Sequence, residues 1–333
     1  MLLFSKIIKR AQLVPLLILL FGGTLLTQGK VHVILDSIYS KATDGYRKFY
    51  VILPRNYNET EERYRVLYLL HGYSGNHTDW LNKTSLIKYV SNYPLLVITP
   101  EADNSWYTNS PTFKNKNYED YIITELIPYV ERKYRVLSAK HGRAIAGLSM
   151  GGYGAVKLAL KYPNLFYYVG SFSGAFNWKD LIKMDKSQIS QSLKEFFGES
   201  ESEHWDKNDI FVIVEKIETF NLPYFYILCG KDDTIEGLLE SNREFVEKLR
   251  RKGILYEYHE LPGGHDWLLW DVGINNFLKK TTYQKMIGKT KMAQVSIENN
   301  RQVKRALVII IEILNLKAGK HFEKVNQEIG VGL

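Results

Sequence analysis

The sequence contains one cysteine, Cys229, among its 333 residues. A single thiol excludes an intramolecular disulfide and a cysteine-rich metal site within this chain. It does not decide the cellular compartment, because a domain of this size can bury enough surface to fold without covalent cross-links. The apolar residues before Cys229 predict a buried thiol near the end of a strand.

The apolar run at the start of the sequence is too short for a membrane-spanning helix. It covers about 14 residues (13–26) and is interrupted by Pro15, whereas a spanning helix needs roughly 20. Residues 1–29 hold three basic residues and no acids. This pattern predicts a secretory signal peptide over 1–29, with cleavage near residue 29 and a secreted or periplasmic protein. An uncleaved anchor helix is the alternative.

The central part of the chain lacks an excess of either charge. The whole sequence has a net charge of +8, but residues 279–333 alone hold 11 basic and four acidic residues. Residues 30–278 hold 30 basic and 32 acidic residues. We therefore expect no nucleic-acid partner for this central part, and any effect of basic charge belongs to the tail.

The tail, residues 281–333, is predicted to be a basic C-terminal extension of unknown role. It contains an apolar run over residues 306–316, which is too short to span a membrane. We expect an appended structural element there, and contact with a membrane surface stays open as an alternative. The sequence does not indicate an oligomeric state.

Short apolar runs alternate with helical patterns over residues 30–280. Runs such as "RVLYLL", "PLLVITP", "RAIAGL" and "PYFYILCG" are each followed by a polar loop. This alternation predicts an α/β fold with a mostly parallel central sheet and helices on both faces. Ligand sites in such sheets lie at the carboxyl ends of the strands, and Ser149, Asp233 and His265 all fall in loops that follow predicted strands.

Ser149 lies in the stretch "AGLSMGGYG", which matches the pattern G-x-S-x-G. A strand precedes it and a helix follows, as the sharp turn that exposes a nucleophile requires. The flanking Gly147 and Gly151 are expected because the crowded turn leaves no room for side chains there. The alternative is a serine that merely occupies a tight turn.

A serine hydroxyl needs a base, and the base needs a carboxylate that orients it. The chain order Ser, Asp, His is typical of this turn. His265 in "LPGGHDW" lies in the loop that this order demands, whereas His71 is expected to be structural. Either Asp232 or Asp233 in "CGKDD" can supply the carboxylate, and the pattern alone does not separate these neighbours.

An acyl-transfer site also needs donors for the oxyanion of the tetrahedral intermediate. The backbone N–H of Met150, which follows the predicted nucleophile, is expected to be one donor. The second donor should come from the loop after the strand "LYLL", most simply the N–H of Tyr73.

The motifs "LLHGYSGNHTDW", "AGLSMGGYGAVKLALKYPNLF", "CGKDD" and "PGGHDWLLW" together resemble the esterase D-like putative esterase family. That family includes S-formylglutathione hydrolases, tributyrin, feruloyl and acetyl-xylan esterases, and the mycolyltransferase antigens. The resemblance covers about residues 30–278. It implies an α/β-hydrolase fold without a metal or organic cofactor, with Ser149 as nucleophile, His265 as base and Asp233 as acid. The extension 281–333 departs from the family pattern.

Several aromatic residues lie in or beside the predicted loops. Trp80, Trp106 and Tyr107 are candidates for a substrate-lining surface, and packing of the loops is the equal alternative. Trp267 and Trp270 are three residues apart on one predicted helix and are expected to pack in the core. Glu119 is expected near the start of a helix, where it favours the helix dipole.

These features predict a serine carboxylesterase that hydrolyses short-chain acyl esters through an acyl-enzyme intermediate. Its substrate would be a small-molecule ester or an acyl group carried on a carbohydrate. Two alternatives are an acyltransferase to a sugar or lipid acceptor and a non-catalytic carbohydrate-binding relative. The residues do not indicate which acyl group or alcohol is preferred.

Overall fold

The computed structural model describes residues 31–183 and 187–280. The predicted signal peptide (1–29) and the C-terminal extension (281–333) lie outside the described residues and stay predictions. Within the two described ranges, no helix is both long and apolar enough to cross a membrane.

Eight strands form one sheet in the order β1-β2-β4-β3-β5-β6-β7-β8. The first two strands are antiparallel to each other, and β2 is antiparallel to β4. All other neighbouring pairs are parallel. The strands are β1 His32–Ser40, β2 Gly45–Leu53, β3 Arg65–Leu70, β4 Leu95–Pro100, β5 Arg143–Leu148, β6 Tyr168–Phe172, β7 Tyr224–Gly230 and β8 Tyr256–Leu261. The predicted mostly parallel sheet is thus confirmed.

Eleven helical segments within the described ranges connect or cover these strands. Most follow a strand and lead to the next one, as crossover connections between parallel strands require. The helices are α1 Asp79–Lys83, α2 Leu86–Val90, α3 Tyr118–Asp120, α4 Ile127–Lys133, α5 Met150–Lys161, α6 Trp178–Leu181, α7 Gln188–Phe197, α8 Glu203–Asn208, α9 Ile210–Lys216, α10 Leu238–Arg251 and α11, residues 267–280. A π-helical turn, Tyr121–Leu126, joins α3 to α4, and short 3₁₀ turns lie at Tyr57–Glu59 and Lys140–Gly142.

Successive side chains of a strand point to opposite faces of the sheet. In the central strands both sets of side chains are apolar, so each face of the sheet packs against a core. In β3, Val66 and Tyr68 belong to one core cluster, and Leu67 and Leu69 belong to the other. Helix α5 packs against the central strands, and ten of its twelve residues are buried apolar or glycine residues. Seven of these belong to the first cluster. Two separate cores therefore hold the central strands rigid from both sides.

The rigid centre of the sheet supports the loops that carry the predicted site residues. Ser149 directly follows β5, Asp233 follows β7, and His265 follows β8. Because β5 to β8 are all parallel, these three loops leave the sheet at the same edge. The topology thus collects side chains that are up to 116 positions apart in sequence.

Candidate active site

The turn at Ser149 holds the serine in a strained backbone conformation. Its φ is 51° and its ψ is −118°, in a region that non-glycine residues rarely adopt. The Ser149 N–H donates to the carbonyl of Phe172 at 2.9 Å, which ties the turn to the end of β6. Such strain costs about 1–3 kcal/mol and persists where the surroundings over-determine it, most often at functional sites.

The two glycines of the pattern are required by close backbone contacts. A Cβ on Gly147 would lie 2.4 Å from the Gly151 carbonyl oxygen, and a Cβ on Gly151 would lie 2.5 Å from the His71 carbonyl oxygen. Both distances are well inside van der Waals contact. The crowding that the sequence predicts at these positions is therefore confirmed.

Ser149, His265 and Asp233 form a continuous chain of hydrogen bonds. The Ser149 Oγ lies 2.9 Å from Nε2 of His265, and Nδ1 of the same ring lies 2.8 Å from Oδ2 of Asp233. A carboxylate can only accept, so Nδ1 carries the proton and Nε2 is free to accept from the serine hydroxyl. The arrangement is that of a nucleophile, a base and a group that orients the base.

The neighbouring carboxylates Asp232 and Asp233 face different partners. The Asp233 side chain is fully buried, and its second oxygen accepts the N–H of Ile235 at 3.1 Å. The exposed Asp232 instead accepts the N–H of Gly263 at 3.2 Å. Asp233 is thus the carboxylate in contact with His265, and Asp232 supports the loop that carries His265.

A glycine at the end of β7 lets that loop approach. A Cβ on Gly230 would lie 2.3 Å from the Gly263 carbonyl oxygen, so any side chain would push the His265 loop away. The loop then enters α11 at a capped start, where Asp266 accepts the N–H of Leu269 at 3.0 Å. These local contacts hold the histidine above the strand ends.

Trp270 packs edge-on against the imidazole of His265, with ring centroids 5.0 Å apart. Its indole N–H donates to Ser173 Oγ at 3.3 Å. Trp270 is buried, as predicted, and its neighbour Trp267 packs edge-on against Trp80. The sequence did not reveal that Trp270 also supports the histidine, because the helical spacing shows only which side faces the core.

The two predicted oxyanion donors belong to segments that adjoin the serine turn. Met150 is the first residue of α5, and the N–H groups of a first helical turn have no partner inside the helix. Tyr73 follows Gly72, where a Cβ would lie 3.6 Å from Cβ of Ser149. The loop after β3 therefore runs directly beside the serine side chain.

The three predicted substrate-lining aromatics are all buried. Trp80 is 0% exposed and donates its indole N–H to the Leu70 carbonyl at 2.9 Å. Trp106 is 2% exposed and bonds Ser192 Oγ, and the fully buried Tyr107 donates its hydroxyl to the His71 carbonyl. Of the two equal alternatives, their burial and hydrogen bonds favour packing of the loops over a substrate-lining surface.

A buried ion pair fastens the loop that carries Trp106 and Tyr107. The Lys157 ammonium in α5 is fully buried and donates to the Tyr107 carbonyl at 2.6 Å and to Thr108 Oγ1 at 2.7 Å. It also lies 3.0 Å from a carboxylate oxygen of Glu119. Glu119 was predicted only to favour a helix dipole. A lysine in a helical pattern gives no signal that it points inward.

Charge pairing keeps both partners of this cluster ionised near neutral pH. Burial alone would raise the pKa of the Glu119 carboxyl, but the charges of Lys157 and Lys161 outweigh it and lower that pKa to about 2. Burial lowers the pKa of the Lys157 ammonium to about 8, against the opposing effect of Glu119. Removing the Glu119 charge would leave the Lys157 ammonium buried without its counter-charge, whereas Glu119 also pairs with Lys161 at 2.6 Å.

We expect Glu119→Gln to destabilise the protein by about 3 kcal/mol, because breaking a buried pair leaves an uncompensated charge. Urea unfolding at pH 7 measures the change. The matched control is Glu203→Gln, which removes one partner of the exposed Glu203–Lys207 pair and should leave stability unchanged.

The stability difference between the wild type and Glu119→Gln should also depend on pH, which tests the role of the Glu119 charge. Because the folded pKa of Glu119 lies below its unfolded value, its stabilisation is complete above about pH 4.5 and is lost as the pH falls towards 2. The difference in the free energy of unfolding between the wild type and Glu119→Gln should therefore become smaller below about pH 4.5. A difference that stays constant over this pH range would contradict the assigned role of the carboxylate.

A polar cleft of about 500 Å³ opens beside Tyr73. Its walls come from the loop after β3, the loop after β4 and helix α7. The lining residues are Tyr73, Asp103, Asn104, Lys116, Tyr118, Gln188, Gln191, Ser192, Glu195 and Phe196. Amide, hydroxyl and charged groups predominate among these residues.

Within residues 31–183 and 187–280, no group of three or more His, Cys, Asp or Glu side chains is arranged to hold a metal ion. Cys229 is buried in β7, and burial raises the pKa of its thiol to about 12, which favours the neutral thiol at neutral pH.

A family model and a related enzyme both identify this chain as similar to esterases. A family model described as "Putative esterase" matches residues 40–281. The acetyl esterase of Caldicellulosiruptor saccharolyticus is 31% identical over 214 residues, which cover 62% of this chain and 79% of the relative.

Solved structures agree with this result. A substrate-bound structure of the fluorophosphonate-binding serine hydrolase FphF of Staphylococcus aureus has a TM-score of 0.68 and 28% identity. The S-formylglutathione hydrolase FrmB of the same organism has a TM-score of 0.67 and 27% identity. Each comparison covers 76% of this chain and 99% of the relative. The chain therefore belongs to the putative esterase family, has the α/β-hydrolase fold and is a serine ester hydrolase.

Proposed function

We propose that the protein hydrolyses short-chain acyl esters with Ser149 as nucleophile, His265 as general base and acid, and Asp233 as the group that orients His265. The observation that carries this proposal is the hydrogen-bond chain from Ser149 through His265 to the buried Asp233. These three roles are those of a serine esterase mechanism.

In the first half of the reaction, Nε2 of His265 takes the proton of the Ser149 hydroxyl as Oγ attacks the ester carbonyl. Asp233 stabilises the imidazolium that forms. The oxygen of the tetrahedral intermediate accepts hydrogen bonds from the N–H groups of Met150 and Tyr73. His265 then returns the proton to the departing alcohol, and the acyl group remains on Ser149.

In the second half, water replaces the alcohol. His265 removes a proton from the water as its oxygen attacks the acyl-enzyme carbonyl, and a second tetrahedral intermediate forms in the same oxyanion site. Its collapse breaks the bond to Ser149 Oγ, which takes the proton back from His265. The acid is released and the serine is regenerated.

The substrate class can be inferred from a relative and from the cleft beside Tyr73. The similarity to an acetyl esterase supports an acetyl or other short acyl group. The polar cleft beside Tyr73 supports a hydroxylated alcohol, such as one carried on a carbohydrate. We therefore propose acylated carbohydrate esters as the substrate class, with transfer to a sugar or lipid acceptor as the competing outcome.

The purified protein should hydrolyse p-nitrophenyl acetate faster than the octanoate ester, and a fluorophosphonate probe should label the peptide that contains Ser149. A panel of acetyl, butyryl, octanoyl and feruloyl esters measures the acyl preference. Adding a sugar acceptor and analysing products by mass spectrometry separates hydrolysis from transfer. An unlabelled native protein that shows no activity on any ester would contradict the proposal.

A further inference from the structure

The loop between β3 and α1 carries a buried histidine, His71, that has no role in the proton transfers of the proposed ester hydrolysis. His71 is 1% exposed, with Nδ1 at 2.8 Å from the Gly72 carbonyl oxygen and Nε2 at 3.0 Å from the backbone nitrogen of Ala102. The Ala102 N–H can only donate, so Nε2 accepts. In the neutral ring the proton is then on Nδ1, which donates to Gly72. Burial lowers the pKa of His71 and favours this neutral form.

The Gly72 carbonyl belongs to the same peptide unit as the N–H of Tyr73. A trans peptide unit is planar, so its C=O and N–H point in opposite directions. The Gly72 carbonyl accepts from His71 Nδ1 and also from the Gly75 N–H at 3.1 Å. Two donors on one side of the unit therefore fix the direction of the N–H on the other side.

Gly72, the first residue of this peptide unit, lies beside the nucleophile. A Cβ on Gly72 would be 3.6 Å from Cβ of Ser149. No acceptor within residues 31–183 and 187–280 takes the Tyr73 N–H. The following peptide is also fixed, because the Ser74 N–H donates to Oδ1 of Asn104 at 2.7 Å. The Tyr73 N–H is thus an available donor in a loop that is held from both sides.

We propose that His71 is a positioning residue for the oxyanion site: its Nδ1–H holds the Gly72–Tyr73 peptide so that the Tyr73 N–H faces the reacting carbonyl. The bond from Ala102 to Nε2 keeps the tautomer that this task requires and joins the loop after β3 to the loop after β4. His71 touches neither substrate nor reacting atoms. The inference rests on the proposed function of Ser149 and on the donor role of Tyr73.

Without His71 Nδ1–H, the Gly72 carbonyl keeps only the Gly75 N–H as a donor, and the less restrained peptide unit can rotate so that its carbonyl turns towards the oxyanion. Such a rotation replaces an attractive donor by a repulsive acceptor in the transition state. Ground-state binding of the ester depends on it much less. Loss of the restraint should therefore lower kcat and leave KM nearly unchanged.

Two substitutions separate the roles of the two ring nitrogens. The side-chain amide of His71→Asn can donate from near the position of Nδ1, whereas the longer side chain of His71→Gln reaches the position of Nε2 and loses the donor to Gly72. We expect His71→Gln to lower kcat for p-nitrophenyl acetate by about 10²–10³-fold, the loss typical of one oxyanion donor. His71→Asn should retain kcat within about tenfold.

Both variants lose the packing of the ring, so their melting temperatures provide the control for stability. Equal losses of kcat in the two variants, or losses that follow the melting temperatures, would overturn the proposal. If either variant does not fold, ¹⁵N NMR of the wild type decides: a neutral ring with the proton on Nδ1 supports the proposal, and a proton on Nε2 contradicts it. An inactive wild type would count against the proposed function itself, whereas an active His71→Gln counts only against the role of His71.

Discussion

Replacing Ser149 by alanine should lower kcat/KM for p-nitrophenyl acetate by about 10⁴–10⁶-fold, since Ser149 is the only nucleophile in contact with His265 within residues 31–183 and 187–280. The rate that remains would come from the oxyanion donors and from substrate binding. Steady-state kinetics with the purified variant measures the loss, and fluorophosphonate labelling should disappear with it.

The loss in this variant must be separated from misfolding. Alanine keeps the Cβ of Ser149 and therefore the same strained φ of 51°, so the melting temperature should stay at or above that of the wild type. The matched control is Ser91→Ala, which removes a hydroxyl bonded to the Lys88 carbonyl at the end of α2 and should leave kcat/KM within about twofold. Activity retained in Ser149→Ala would exclude Ser149 as the nucleophile.

Asp233→Asn should lower kcat by about 10³–10⁴-fold. The asparagine amide can donate to Nδ1 of His265, which favours the proton on Nε2, and that tautomer cannot accept the proton of Ser149. The size of Asn is close to that of Asp, so the packing around this fully buried side chain is preserved. Measurement of kcat with a short-chain ester is the test.

The adjacent carboxylate supplies the matched control. Asp232→Asn retains an oxygen that can accept from Gly263, and Asp232 does not contact His265. We expect kcat within about threefold of the wild type for this variant. Similar losses in both variants, or a larger loss in Asp232→Asn, would contradict the assignment of Asp233.

The fold follows from patterns that act over a few residues. Apolar runs with strand composition alternate with helical spacing, and a buried parallel sheet is the arrangement that satisfies both. The pattern around Ser149 carries similar local information, because a strand, a crowded turn and a helix must follow in that order. These elements could be predicted because each depends on its own neighbours in sequence.

The choice between Asp232 and Asp233 required the tertiary structure. The two carboxylates are adjacent, and the residues alone left both open; only the resemblance favoured Asp233. The structure separates them because the loop of Gly263 crosses β7 at Gly230 and brings one carboxylate to His265 and the other to the loop backbone.

The sequence could not decide whether three aromatic residues line the substrate site or pack in the interior. Trp80, Trp106 and Tyr107 have the size and polarity of substrate-binding residues and equally of core residues, and the structure buries all three. The burial of Lys157 could not be predicted from the sequence for a related reason. Its partners lie on the loop after β4 and on α3, so no local pattern shows that this lysine points inward.

The sequence by itself determined the sheet, the serine turn and the order of the predicted nucleophile, acid and base, because these depend on periodicity, composition and local backbone sterics. The tertiary structure decided which carboxylate meets His265, which aromatics are buried and how His71 holds the loop beside Ser149. Each of these depends on a hydrogen bond or a close contact between loops that are distant in sequence. Such contacts exist only once the parallel strands have brought the loops to one edge of the sheet.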